Sequence, residues 1–140
     1  MKELFEVLES YLVKIIDHYG SKVKAIAIEL SEPSTPVFVL IVLEGLKKVS
    51  FLAREDIAEY FIKKVEAEKA FSNFVLTTGH RPLIYTVFLD PTEVEYHIPL
   101  VTHILSKGWV VYGSVEVPKL NSYGNLIQLG EVNKGDVVDL

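Results

Sequence analysis

The sequence predicts an α+β domain: a small mixed β-sheet covered by helices. Three observations lead there. An amphipathic run opens the chain, four β-branched or aromatic runs follow at 22–30, 37–44, 83–89 and 109–113, and helical stretches separate most of them.

Residues 2–19 place Leu4, Leu8, Tyr11, Leu12, Ile15, Ile16 and Tyr19 at helical spacing with Lys and Glu between them. Gly20 follows as a natural stop. "KVKAIAIEL" (22–30) alternates and is β-branched at Val23, Ile26 and Ile28, the pattern of a strand. Ser31 to Pro36 joins it to "VFVLIVLE" (37–44), a run apolar on both faces and therefore a central strand between two layers. So short a connection predicts antiparallel neighbours, because a parallel pair needs a crossover of about a dozen residues.

Helical spacing returns from about Ser50 to Phe71, with Leu52, Ile57, Phe61 and Val65 toward the core. "FSNFVLTTGHRP" leads into a third strand, "LIYTVFL" (83–89). "DPTE" (90–93) supplies an Asp cap, a proline at the first helical position and a Glu three residues beyond the cap, so a short helix starts there and Asp90 has a structural task. Pro99 begins a second short helix that Gly108 stops, and "WVVYG" (109–113) is the fourth strand. Residues 1–116 form the predicted domain. Residues 117–140, Gly- and Asn-rich, are an extension: a β-hairpin turning at Asn133 to Gly135, or a partner-dependent tail.

With 140 residues the chain can bury roughly two thirds of its unfolded surface and needs no disulfide or metal to fold. It has no cysteine, which excludes thiolate catalysis, Cys-based zinc sites and disulfides. A net charge of −5, from 14 basic and 19 acidic residues, argues against a general nucleic-acid or anionic-membrane surface. No apolar run approaches the roughly 20 residues of a spanning helix, and the acid-rich start is unlike a signal peptide. A cytoplasmic protein is expected. A hydrophobic content of 49%, rich in Val and Ile, and a single Gln suit a heat-adapted source.

Four histidines, His18, His80, His97 and His103, show no metal-ligand spacing, and only His97 and His103 are placed to meet, across Pro99. Glu29 and Glu32 flank a turn and are expected in solvent. Glu44 lies about 20 Å away along the second strand at roughly 3.3 Å per residue. "TTGHRP" is the most donor-rich loop, with Thr78, His80 and Arg81 as a candidate anion contact. Trp109 is expected to pack rather than to stack on a base.

The segment "LIYTVFLDPTEVEYHIPLVTHILSKGWVVYGS" (83–114) resembles the end of a minimal nucleotidyltransferase domain of the polymerase-β superfamily: a strand, a short helix opening with Pro and Glu, a proline, a helix, and a Gly before a strand ending in Tyr-Gly. The upstream order fits, so the resemblance spans roughly residues 5–114. It implies a Gly-Ser pair at the end of the first strand, Asp-x-Asp opening the second and a third acid on the later strand, which together hold two Mg²⁺ ions for in-line attack at the α-phosphate. On this chain those positions carry Glu29 and Leu30, Pro36 and Phe38, and Tyr85. None of the three acid positions is a carboxylate. Gly20-Ser21 precedes the first strand and is not the family's pair.

The resemblance thus implies a degenerate domain without its catalytic acids, a binding or regulatory module that is antitoxin-like or complex-forming, works through self-association or a protein partner, and has no required cofactor and at most weak nucleotide binding. The alternatives are an active transferase using Mg²⁺ with acids drawn from Glu29, Glu32 or Asp90, and an unrelated α+β interaction protein.

Overall fold

The computed structural model describes residues 2–30, 36–94 and 98–113. Helix α1 (Lys2–Tyr19) ends at Gly20, whose φ of 56° few other residues adopt readily, and a single 3₁₀ turn (Gly20–Lys22) enters strand β1 (Val23–Glu29). Strand β2 (Val37–Leu43) follows. Helices α2 (Phe51–Glu66) and α3 (Lys69–Thr78) lead to β3 (Ile84–Leu89). A 3₁₀ turn (Pro91–Glu93), helix α4 (Pro99–Lys107) and strand β4 (Trp109–Gly113) are the last of the described elements.

The strands form one mixed sheet in the order β3-β2-β1-β4. β1 is antiparallel to both β2 and β4, whereas β2 and β3 are parallel, with α2 and α3 as their crossover. The expected α+β class and the central, doubly buried second strand are both found. β2 is buried at every position but Phe38, which is half-buried.

Two apolar layers account for that burial. Ile26, Ile28, Val39, Ile41 and Phe88 face one way, onto Leu4, Val7, Leu8, Tyr11 and Ile15 of α1 and Phe61, Val65 and Phe74 of α2 and α3. Ala25, Ala27, Leu40, Val42 and Leu89 face the other way, onto Val101, Ile104 and Leu105 of α4. Small alanines on β1 let α4 lie close. At Gly108 a Cβ would stand 2.0 Å from the Ile28 carbonyl oxygen, so the backbone approach there admits only glycine.

Several expectations need correction. The single helix expected over residues 50–71 is two, broken at Ala67 and Glu68, and the second runs on through Thr78, so Thr77 and Thr78 are helical rather than loop. Leu52 points outward, 73% exposed, while Arg54 takes the inward position that continues through Ala58, Phe61 and Val65. The short helix after Asp90 is one 3₁₀ turn. The extension 117–140, with its turn at 133–135 and the boundary drawn at 116, lies outside the described residues.

Candidate functional site

The β-ladder lines up three of the family-equivalent positions. Glu29 pairs with Phe38, and Phe38 pairs with Tyr85, so one lateral row crosses β1, β2 and β3 on the face that α4 partly covers. Sequence reasoning about separate segments therefore converges on one place. Leu30 continues from Glu29 and packs against the larger core, and Pro36 immediately precedes β2.

The row contains one carboxylate. Glu29 is buried at 7% exposure rather than standing in solvent as expected, because α4 lies over this end of β1. Its Oε1 is 3.6 Å from Nε2 of His103 on α4, and its buried Oε2 has no hydrogen-bond partner among the described residues. Beside it, the rings of Phe38 and Tyr85 stack with centroids 5.9 Å apart and planes at 18°. Tyr85 is 60% exposed and Phe38 half-buried, so the stack forms an aromatic floor open to solvent on its Tyr85 side. Trp109, opposite Ile28 on β4, is 41% exposed and so is less packed than expected.

A pair of Mg²⁺ ions requires several oxygen ligands at about 2.0–2.1 Å. One carboxylate beside the phenyl ring of Phe38 and the phenol of Tyr85 does not supply that donor set, and no three His, Asp or Glu residues gather elsewhere among the described residues. Glu32 and His97 lie outside those residues.

Asp90 sits at the far end of β3, five residues beyond Tyr85 and so about 16 Å along an extended strand. Glu29 and Asp90 cannot share an ion. Both Asp90 and Glu93 are engaged locally. Asp90 Oδ1 accepts from the Thr92 N–H and hydroxyl, its Oδ2 accepts from the Gly45 N–H, and the Glu93 carboxylate accepts from the Asp90 N–H at 2.7 Å. These donors, the Thr92 N–H foremost, hold the Asp90 carboxyl below the usual carboxylate range. Burial pushes the Glu93 carboxyl up, but hydrogen bonds from Arg54 and from the Asp90 N–H, with the Arg54 charge, overcome it and leave Glu93 below its ordinary value.

Arg54 is the residue that sequence reasoning missed. It is 3% exposed, and its guanidinium makes five hydrogen bonds: to the carbonyls of Leu46, Val49 and Phe88 and to both oxygens of Glu93 at 2.8 and 3.0 Å. Those bonds match its five N–H donors. Phe51 lies under the same group, 4.4 Å from its ring centroid. The available signal was the arginine at the head of the apolar stripe Arg54, Ala58, Phe61, Val65, four residues past the Ser50 cap. The acids near β3 thus have a structural task at the opposite end of the sheet from the aromatic row.

In the proposed anion loop, the Thr78 hydroxyl shares its one proton between the carbonyls of Phe74 and His80, and Arg81 pairs with Glu66 and lies over the Phe71 ring. Glu44 pairs with Lys24 at 3.1 Å. His18 is on α1 among the rings of Tyr19, Tyr60 and Phe61. Among the described residues no helix is long and apolar enough to cross a membrane.

No family model matches the sequence, and no curated protein matches it. The chain is similar to a solved structure from Sulfolobus solfataricus described provisionally as a nucleotidyltransferase, with 11% identity and a TM-score of 0.46, over 80% of this chain and 85% of that one.

Proposed function

We propose that this chain is a nucleotidyltransferase-like scaffold that does not catalyse nucleotidyl transfer and serves as a binding or regulatory module in a complex. One observation carries the reading. At the row where the resemblance calls for carboxylates around two Mg²⁺ ions, the ladder sets a single buried Glu29 beside the Phe38–Tyr85 stack. Phosphoryl transfer depends almost wholly on positioning and charge neutralisation, so a row with one acid and two rings removes the means of both. An aromatic floor is instead suited to apolar contact with a partner.

Oε2 of Glu29, without a hydrogen-bond partner among the described residues, favours a second reading, in which this carboxylate takes part in cation-dependent nucleotide binding. Thermal unfolding with and without nucleoside triphosphate and Mg²⁺ separates the two. A ligand present at 100 times its dissociation constant adds about 2.7 kcal/mol to the native state. The scaffold reading predicts no change in Tm at millimolar triphosphate. A rise in Tm that disappears in Glu29→Gln would replace it with the second reading.

A further inference from the structure

Among the described residues the outer side of β3 is an open edge, and its chemistry suits a particular occupant. β3 ends the sheet, with β2 as its one strand neighbour among the described residues. The Val37 N–H donates to the Leu83 carbonyl at 2.8 Å. Alternation along a strand then directs the polar groups of Leu83, Tyr85 and Val87 to β2 and those of Ile84, Thr86 and Phe88 outward. The Phe88 carbonyl is indeed on the outer side, where Arg54 occupies it at 3.0 Å. Arg54 therefore closes the edge at Phe88 and leaves the N–H and C=O of Ile84 and Thr86 facing out.

Exposed edges in natural proteins are guarded by Lys, Pro, bulges or a covering element. Residues 83–89, "LIYTVFL", contain no charge, no proline and no glycine, and Leu83 and Tyr85 are 50% and 60% exposed. A bare edge of this kind is a pairing surface.

We propose that β3 pairs antiparallel with β3 of a second copy of this chain about a two-fold axis at Tyr85, joining two sheets into one of eight strands. The register follows from the open groups. Ile84 and Thr86 each exchange both backbone hydrogen bonds with Thr86 and Ile84 of the other copy, and Tyr85 meets Tyr85 in the close, non-hydrogen-bonded pair between them. On that face Leu83 meets Val87 and Val87 meets Leu83, and the Phe38 ring backs each Tyr85. The pairing is self-complementary because the segment carries no charge, so no like charges meet at the axis. The inference deepens the proposed function by naming the partner as a second copy, and it rests on that reading only for its purpose, since pairing does not depend on whether the row is catalytic.

The test is the mass of the full chain by light scattering over a concentration series, for wild type, Tyr85→Lys, Tyr85→Glu and an equimolar mixture of the two variants. Far-UV circular dichroism confirms that each variant is folded. The expected wild-type mass is twice 15.8 kDa. Each variant alone is expected at 15.8 kDa, since like charges meet at the axis, and the mixture is expected to return to twice that mass as Lys faces Glu. A monomeric wild type, a dimer that survives Tyr85→Lys, or a mixture that stays monomeric each overturns the proposal. The second result would assign the association to another surface, and the third would contradict the pairing of Tyr85 with Tyr85. Nucleotidyl transfer by an intact dimer would overturn the proposed function and leave this interface standing.

Discussion

Replacing Arg54 with alanine tests how the fold uses its buried charges. The substitution removes one partner of an ion pair whose arginine is 3% exposed, and it strips donors from the carbonyls of Leu46, Val49 and Phe88 as well as from Glu93. Breaking a buried pair from one side costs about 3 to 5 kcal/mol, because the remaining charge is stranded. Domains of this size have about 5 to 15 kcal/mol in total, so the variant should retain a native state with a much lower urea midpoint. The pair of substitutions Arg54→Met and Glu93→Gln removes both charges and keeps an acceptor for the Asp90 N–H, and its loss should fall short of the sum of the single losses by about 0.5 to 3 kcal/mol. Urea unfolding followed by circular dichroism and by the fluorescence of the sole tryptophan, Trp109, reads these values. A loss below about 1 kcal/mol for Arg54→Ala, the scale of an exposed ion pair, would refute a structural task for this network, in which Arg54 of α2 joins the β2–α2 connection to Phe88 of β3 and to Glu93.

Acid and alkaline limbs of stability have separate sources. Asp90 and Glu93 are held below their ordinary values, so their contribution is complete above the unfolded carboxylate range, about pH 4 to 5, and is lost as pH falls through their folded values. Asp90→Asn with Glu93→Gln should flatten that limb in unfolding curves taken from pH 6 to 2, and an unchanged limb would contradict the assignment. Burial pushes Tyr11 up to about 12 against an opposing hydrogen bond with Thr86, so its contribution is intact below the ordinary value of 10.0 and is lost through about 12, which Tyr11→Phe should abolish. Gly108→Ala places a Cβ 2.0 Å from the Ile28 carbonyl oxygen and 2.7 Å from that of Ile104, and backbone has little room to yield. It should lower stability by about 1 to 3 kcal/mol, read as a fall in Tm, and an unchanged Tm would show that β4 is not held so close to β1.

Local pattern carried much of the fold. The apolar run 37–43 announced a strand with two buried faces, and the cap, proline and Glu of "DPTE" announced the turn at Asp90–Glu93 with its reciprocal bonds. Features set by distant contacts were not legible. Glu29 looks like a turn carboxylate until α4, some seventy residues later, brings His103 beside it. Leu52 outranks Arg54 on hydropathy, yet Arg54 lies inward because two carbonyls of the β2–α2 connection, the Phe88 carbonyl of β3 and the Glu93 carboxylate converge there, and no local period encodes that convergence. The alignment of Glu29, Phe38 and Tyr85 was reachable only through the resemblance, since register between β2 and β3 spans a crossover of two helices. The break at Ala67 and Glu68 follows no Gly or Pro, and the apolar spacing runs across it.

The proposal that the aromatic row does not catalyse transfer is open to a direct assay: transfer of label from α-phosphate-labelled nucleoside triphosphates. Wild-type protein and Glu29→Gln are incubated with Mg²⁺ or Mn²⁺ and, in turn, RNA, protein and small hydroxylic or amino acceptors. Wild type is expected to transfer no more label than Glu29→Gln or protein-free controls. Transfer by wild type that Glu29→Gln abolishes would contradict it.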